Sequence, residues 1–231
     1  MIDTLINWTN QNAGFLTLIL FLTTLVLWWV SGIFRALTHK PMFKIGLLDG
    51  PTFFCTFPAG KEFNQSPTLR TAAAIYLKIT NIGTAPAQIV SVRLGYHNYS
   101  FKHTFIWFWL YTTPAIGDFG HTIGENVRIF PFLFQKSVLL HQSISTYLKP
   151  GQDTKGVLYF EQPESWGSFK PRTKNESTKV KVLVKDSYGN TYSKRFKVPV
   201  VELEYAKKFN SKFGTTLSLI EENPMEEWNQ S

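Results

Sequence analysis

Residues 72–96, AAAIYLKITNIGTAPAQIVSVRLGY, predict two β-strands joined by a turn. In the first strand the apolar residues fall on one face and the more polar ones on the other, namely Ile75, Leu77 and Ile79 against Tyr76, Lys78 and Thr80. The second strand repeats this two-residue period with Val90, Val92, Leu94 and Tyr96. Such alternation is typical of strands with one buried face.

The same pattern continues on both sides of this pair. We predict short strands at 43–49, 52–57, 146–148 and 156–160, with polar loops at about 58–70 and 161–175. The clearest hairpin is at 179–200, where three valines alternate with lysines before a turn, and a return strand carries Tyr192, Phe196, Val198 and Val200. The domain is therefore predicted to be all-β over residues 43–201.

Two runs suggest a more specific architecture. Residues 76–96, YLKITNIGTAPAQIVSVRLGY, resemble a strand–turn–strand element of Ig-like β-sandwiches, including bacterial modules of the CARDB and fibronectin-III kind. Residues 147–162, YLKPGQDTKGVLYFEQ, have the same sandwich character. The resemblance implies an Ig-like antiparallel β-sandwich and carries over no catalytic or binding residue.

An uncharged run precedes the β domain. Residues 13–34, AGFLTLILFLTTLVLWWVSGIF, would form a helix about 33 Å long, and a bilayer's hydrocarbon core is about 30 Å thick. The first twelve residues contain no Lys or Arg, and the run ends without the small-residue cleavage pattern of a signal peptide. We therefore predict an uncleaved transmembrane helix, in preference to a signal peptide or a buried core helix.

The charges around this run predict its orientation. Asp3 is the only charged residue before it, whereas basic residues follow it closely. Under the positive-inside rule, the N-terminus lies outside and the β domain lies in the cytoplasm at the inner membrane. The membrane-orienting residues that we predict are Arg35, Lys40, Lys44, Trp28 and Trp29. The linker 35–42 reaches at most about 28 Å, which predicts that the domain works near the bilayer.

The charge of the chain suggests anionic partners. The formal net charge is +8, and residues 35–220 hold 24 basic and 11 acidic residues. This balance suits a lipid bilayer with anionic headgroups or nucleic acid, and it also suits simple solubility. We rank nucleic acid below lipid because no nucleic-acid-binding motif is present. The tail at 215–231 carries four Glu; we expect it to be disordered, or to mask a basic face of the domain.

An aromatic insertion at about 97–135 is the least regular part of the domain. Its segment 105–111, FIWFWLY, has no charge, and IFPFLF follows at 129–134. These segments fit core strands, or an insertion over an open sheet edge; they also fit membrane docking or a protein interface. The candidate partner-binding residues are Phe105, Trp107, Phe108, Trp109 and Tyr111.

Motifs for catalysis are absent from the sequence. No glycine-rich phosphate loop, nucleophile elbow or zinc-hydrolase motif occurs. The single cysteine, Cys55, lies in the apolar run FFCTF, which predicts a buried thiol. The five histidines are scattered, so we predict no enzyme activity, no cofactor, no metal site and no catalytic residue.

These observations predict the following organisation: an extracytoplasmic N-terminus at 1–12, a transmembrane helix at 13–34, a linker at 35–42, a β-sandwich at 43–201, a short helix at 202–214 and an acidic tail at 215–231. The predicted function is a membrane-anchored, non-enzymatic adaptor or sensor with a protein-binding surface. The alternatives are an accessory subunit of a larger membrane complex and an enzyme with an unrecognised site.

Overall fold

The structure is a computed structural model that describes residues 2–31, 39–98, 106–123, 126–133, 146–162 and 170–215. The chain divides into two compact units, Met1–Lys40 and Pro41–Ser231. The first unit is helical and the second consists mainly of β-strands.

The N-terminal unit contains α1 (Ile2–Gln11) and α2 (Ala13–Val30), and Asn12 lies between them. No residue of α2 is buried, and α2 is long and apolar enough to cross a membrane. The hydroxyls of Thr17, Thr23 and Thr24 donate to backbone carbonyls about one turn earlier. Each polar side chain is thereby satisfied inside the helix, as a lipid environment requires.

The predicted transmembrane segment agrees with α2 as far as Val30, while residues 32–34 and Arg35 lie outside the described residues. Signal sequences share the length and composition of α2, so retention of the segment and its orientation remain predictions. The region predicted only as an extracytoplasmic N-terminus forms the helix α1.

The second unit is built from short and long strands and one short helix. The strands are β1 (Phe43–Leu47), β2 (Phe53–Phe63), β3 (Ser66–Asn81), β4 (Ala87–Tyr96), β5 (Phe108–Tyr111), β6 (Phe119–Ile123), β7 (Asn126–Phe130), β8 (Tyr147–Leu148), β9 (Asp153–Glu161), β10 (Thr173–Lys174), β11 (Ser177–Asp186) and β12 (Thr191–Val201). The helix α3 spans Leu203–Lys207.

Two sheets face each other in a sandwich-like arrangement, which confirms the predicted all-β fold. β3 is central in one sheet, with β9 on one edge and β1 and β2 on the other. β11 is central in the second sheet, between β12 and β4, and β5 and β8 extend it beyond β4. The sheets join where Val200 and Val201 of β12 pair in parallel with β2. The Ig-like type of the sandwich stays a prediction.

A first hydrophobic core fills the space between the sheets. It contains Ile75, Leu77 and Ile79 of β3 together with Val180, Val182 and Val184 of β11, as the alternation predicts. The prediction is wrong at Val90, which is 57% exposed, whereas Ile89 is buried. A register shift between Lys185 and Asp186, where β11 pairs with β4, moves this end of β4 by one residue.

A second core covers the opposite face of β3, where the sequence predicts a half-exposed strand. Ala72, Ala74 and Tyr76 are buried there against a cluster of aromatic rings, namely Phe53, Phe57, Phe119, Phe130, Phe132, Tyr159 and Phe213. The covering layer comes from the β6–β7 hairpin, the chain at 131–133 and the segment after β12. β3 is therefore buried on both faces over most of its length.

The short helix predicted at 202–214 is shorter than expected, because α3 ends at Lys207 and turns follow. Its predicted apolar face is confirmed, since Leu203, Ala206, Phe209 and Phe213 all pack on the second core. Gly214 ends this segment with a φ of 80°, in the left-handed region that favours glycine. The acidic tail beyond residue 215 lies outside the described residues.

The polar loop predicted at 58–70 is instead a hairpin. β2 and β3 pair from Phe53 to Phe63 and turn at Asn64 and Gln65, whose φ angles are 49° and 62°. Two consecutive left-handed residues form the turn that matches strand twist. This turn is not apparent from the sequence, because neither of its two left-handed residues is a glycine. A second pair of left-handed residues, Asn175 and Glu176, lies between β10 and β11, at the end of the loop predicted at 161–175.

The carboxylate of Asp186 closes the β11–β12 hairpin. Asp186 is buried, with 1% of the residue exposed. Its oxygens accept hydrogen bonds from the backbone of Tyr188 and Asn190, from the Asn190 side chain and from the Tyr192 hydroxyl. Burial alone raises the pKa of Asp186, but the hydrogen bonds from Asn190, Tyr192 and Tyr188 outweigh it and lower the pKa below its usual value.

We predict that Asp186→Asn lowers the free energy of unfolding by about 2 kcal/mol at pH 7, because charge-assisted hydrogen bonds are lost. Because the pKa of Asp186 is lower in the folded state than in the unfolded state, its ionised carboxylate stabilises the fold at pH values above the unfolded pKa. This stabilisation is lost as the pH falls through the folded pKa. The difference between wild type and variant should therefore narrow below about pH 4, as urea unfolding at several pH values would show. Asp153→Asn is the control, because Asp153 pairs with Lys78 at 3.1 Å in an exposed setting and should cost under about 1 kcal/mol. A difference for Asp186→Asn that stays constant with pH would contradict the prediction.

Candidate functional site: a basic and aromatic sheet face

The sheet around β11 turns one side away from the first core. Even-numbered residues of β5, β11 and β12 point inward, so their odd-numbered residues point outward. The register sets these residues in rows across four strands: Arg195 lies opposite Lys181, Lys181 opposite Gly95, and Gly95 opposite Trp109. A parallel row joins Ser193, Leu183, Arg93 and Tyr111.

We call this surface the basic–aromatic face. Its cations are Arg93, Lys179, Lys181, Lys185, Arg195 and Lys197, and its aromatic residues are His97, Trp107, Trp109 and Tyr111. The cations lie mainly on β11 and β12. Trp109 and Tyr111 lie in β5, Trp107 directly precedes β5, and His97 directly follows β4.

Gly95 allows the two indole rings to lie close to the sheet. A Cβ at this position would lie 3.0 Å from the Trp109 ring and 3.2 Å from the Trp107 ring, tighter than ordinary van der Waals contact. Trp107 packs against His97 with ring centroids 4.0 Å apart and against Trp109 at 6.4 Å. His97 Nδ1 is 2.9 Å from the carbonyl oxygen of Ile106, which fixes the imidazole beside the indole. Together these contacts build a half-buried aromatic platform.

Among the described residues, no acidic side chain forms an ion pair with these cations. Lys179 lies directly opposite Lys197, and Lys181 directly opposite Arg195. Like charges in such cross-strand pairs repel each other. The only acidic residue in β4, β5, β11 and β12 is Asp186, which is buried in its turn. An anionic ligand on this face would relieve the repulsion.

Two arginines also contact aromatic rings on the face. The Arg195 guanidinium carbon lies 5.7 Å from the Trp107 ring centroid, and that of Arg93 lies 4.9 Å from the Tyr111 ring centroid. Such cation–π contacts hold the guanidinium groups while leaving their N–H donors available. The face therefore offers both hydrogen-bond donors and apolar surface.

The structure divides the aromatic segment that the sequence singled out. Trp107, Trp109 and Tyr111 lie on the basic–aromatic face, and Tyr111 is 60% exposed. Phe108 instead packs on the first core beside Tyr96, at 6.2 Å between ring centroids. Phe105 lies outside the described residues. Residues 108–111 form the strand β5, whose alternate residues pack on the first core and lie on the basic–aromatic face.

Several residues of the face are not apparent from the sequence. The alternation of Lys179, Lys181 and Lys185 is visible and predicts a solvated strand face. Arg195 lies beside β11 as the predicted 179–200 hairpin implies. Arg93 and Gly95 become part of the same surface only because β4 pairs with β11, and no local pattern indicates that pairing.

The remaining chemical candidates do not form a reactive centre in the described ranges. Cys55 is fully buried in the second core, as predicted, and burial raises the pKa of its thiol to about 12. His121 stacks on Phe209, with 5.1 Å between ring centroids. No group of three or more His, Cys, Asp or Glu residues in the described chain could hold a metal ion. Of the predicted orienting residues, Lys40 and Lys44 are exposed, as are Trp28 and Trp29 of α2.

Comparison with known proteins does not assign this chain to a family. No protein-family model matches the sequence, and no curated protein matches it. One solved structure, that of a Bordetella pertussis protein designated ApaA, is similar at a TM-score of 0.28 and 10% identity, covering 70% of this chain and 95% of that one. A likeness at this level carries no argument about fold type or function.

Proposed function

We propose that this chain is a membrane-anchored, non-enzymatic adaptor whose β domain binds an acidic protein surface through the basic–aromatic face. The proposal rests on two like-charged cross-strand pairs, Lys179–Lys197 and Lys181–Arg195. These pairs lie beside the adjacent indoles of Trp107 and Trp109. The Ig-like type of the sandwich, suggested by residues 76–96, belongs to the same proposal.

The composition of the face suits a protein interface. Tyr, Trp and Arg are enriched at interfaces and dominate their binding energy. Trp107 and Trp109 are already held by Gly95 and His97, so little side-chain entropy would be lost on binding. The surrounding cations would steer an acidic partner toward the face and make association weaken with added salt.

The anchor gives the proposal its location. In this proposal α2 is retained in the inner membrane, and the basic residues that follow it keep the β domain in the cytoplasm. A short tether then holds the binding face at a high local concentration near membrane-bound partners. An accessory subunit of a larger membrane complex would use the same face and would co-purify with that complex in fixed stoichiometry.

We predict that Lys179→Glu combined with Lys197→Glu weakens partner binding on the order of ten-fold or more, because attraction becomes repulsion. The two residues are direct neighbours, so the variant exchanges one like-charged pair for another and should remain folded. The matched control is Lys155→Glu with Lys212→Glu, which makes the same charge change at exposed positions outside the face. Cross-linked pull-down from detergent-solubilised membranes measures both.

Equal recovery of the same partners by the two double variants would contradict the proposal. A second variant, Trp107→Ala with Trp109→Ala, tests the aromatic half of the face and leaves the inward-facing Phe108 in place. Binding to vesicles that contain anionic lipid tests the remaining possibility, that the ligand of the face is the bilayer and not a protein. If the face variants lose vesicle binding and no protein partner is found, the ligand is the bilayer and the adaptor proposal is wrong.

A further inference from the structure

Among the described residues, one edge of β12 lacks a strand partner along most of its length. β12 pairs with β11 from Thr191 to Pro199, and in this part of the chain only Val200 and Val201 pair on the other edge, with β2. The residues beside the open edge are mostly exposed, including Ser193, Arg195 and Lys197. The described residues thus contain an edge strand that could accept another strand.

The hairpin determines which backbone groups face that edge. The N–H of Asp186 donates to the carbonyl of Asn190, and the N–H of Val200 donates to the carbonyl of Glu176. Hydrogen-bonded pairs alternate in an antiparallel ladder, so the even-numbered residues of β12 bond to β11. The N–H and C=O groups of Thr191, Ser193, Arg195 and Lys197 therefore point to the open edge. Pro199, which lacks an N–H, occupies the next position in this series.

An apolar groove runs beside the same strand. It has a volume of about 280 Å³ and lies between β1 and β12, lined by Met42, Phe43, Ile82 and Tyr192 among others. Met42 and Ile82 are each 54% exposed. Its charged lining residues are Lys44 and Lys194, with no acidic residue. The groove offers apolar contact below the strand, and the cations surround it.

We propose that β12 recruits an extended partner segment, of alternating acidic and apolar residues, as an added strand. This inference rests on the proposed function, because the added strand would extend the sheet that carries the basic–aromatic face. On the outer side, acidic residues of the segment would meet Arg195 and Lys197; on the inner side, apolar residues would enter the groove.

Charge selects this occupant over a second copy of the chain. Pairing β12 with β12 of another copy would bring Lys194, Arg195 and Lys197 against the same three cations. Like charges on an edge strand are a common protection against such self-association. An acidic segment instead gains favourable cross-strand pairs at Arg195 and Lys197 on the outer side.

The test uses the full chain in detergent micelles and an eight-residue synthetic peptide of alternating glutamate and valine. Amide hydrogen exchange is measured with and without the peptide. We expect the N–H groups of Ser193, Arg195 and Lys197 to become protected, and a lysine–valine peptide to give no protection. Unchanged exchange at these amides under saturating peptide would overturn the proposal.

A neutral substitution tests the backbone contact. Ser193→Pro removes one edge-facing N–H, whereas Ser193→Ala removes only the hydroxyl. Relative to Ser193→Ala, we expect Ser193→Pro to weaken peptide binding about five-fold, the value of one hydrogen bond. Equal affinities would overturn strand addition, and if Ser193→Pro does not fold, the exchange measurement on wild type decides.

The outcomes separate this inference from the proposed function. If the Lys179→Glu/Lys197→Glu variant loses the native partner while that partner leaves the β12 amides unprotected in wild type, the face binds and strand addition is wrong. If the partner protects these amides and Ser193→Pro weakens its binding, strand addition is supported. If the peptide protects them but the face variants keep the native partner, the edge site stands and the proposed function fails.

Discussion

Gly156→Val is expected to lower the free energy of unfolding by about 3 kcal/mol, near the upper end of typical overpacking costs. Gly156 lies in β9 with the chain at 132–133 passing directly over it. A Cβ there would lie 2.6 Å from the backbone N of Leu133 and 2.9 Å from the carbonyl carbon of Phe132. Because backbone rather than a flexible side chain occupies the space, the covering segment must move.

Moving that segment would open both cores. The N–H of Val157 donates to the carbonyl of Pro131, and the N–H of Leu133 donates to the carbonyl of Val157. Leu133 belongs to the first core and Phe132 to the second. We therefore expect the loss of these two hydrogen bonds and of apolar burial at Phe132 and Leu133, measurable by urea denaturation.

Gly46→Val is the matched control. Gly46 also lies in a strand, but the nearest atom to its Cβ would be the Lys78 carbonyl oxygen at an ordinary 3.9 Å. The change should alter the unfolding free energy by less than about 0.5 kcal/mol. Equal effects of the two substitutions would show that residues 131–133 do not pack on β9 as described.

The second large effect is expected at the buried ion pair between Arg70 of β3 and Glu161 of β9, next to the second core. Arg70 Nη1 lies 3.4 Å from Glu161 Oε1, and both side chains are almost completely buried. The Tyr159 hydroxyl donates to Glu161 Oε2 at 2.6 Å and accepts from the N–H of Gly214. The pair thus links β3 and β9 to the segment that ends the described chain.

Arg70→Met should cost about 3–5 kcal/mol, because it removes the positive charge beside the buried Glu161 carboxylate. Glu161→Gln should cost a similar amount, because it removes the negative charge beside the buried Arg70 guanidinium. The double variant should be more stable than the sum of the single effects predicts, since neither charge remains. Urea unfolding of the four proteins completes the double-mutant cycle. Additive effects would mean that Arg70 and Glu161 do not interact.

The strand pairs near each other in sequence are the part of the fold that local pattern predicts well. Val180, Val182 and Val184 face the first core as their alternation indicates, because a strand with one buried face shows a two-residue period. α2 is predicted by its uncharged composition alone. These signals lie within a few residues of one another in the chain.

The second core is not predictable in this way. Tyr76 is polar enough to suggest an exposed position, yet it is buried against Phe130, whose ring centroid lies 5.4 Å away. The aromatic residues that pack on Tyr76 lie far from it in the sequence, and no sequence pattern near Tyr76 predicts these contacts. The turn at Asn64 and Gln65 is missed for a different reason, since it adopts left-handed angles without glycine.

The candidate site lies between these extremes. The cations of β11 and the indoles of β5 are both visible in the sequence, but their common surface depends on β4 lying between them. Gly95 reads as an interruption of a strand, whereas in the fold it makes room for Trp107 and Trp109. Long-range register, which alternation does not encode, turns separate features into one face.

Photo-cross-linking in intact membranes would test the role of the basic–aromatic face most directly. A photoreactive phenylalanine analogue replaces Trp109 on the face in one protein and the exposed Lys155 of β9 in the other. We predict a discrete protein adduct at position 109 that diminishes at high salt and is absent at position 155. Adducts that are the same at both positions, or adducts at position 109 that contain only lipid, would contradict an adaptor function for this face.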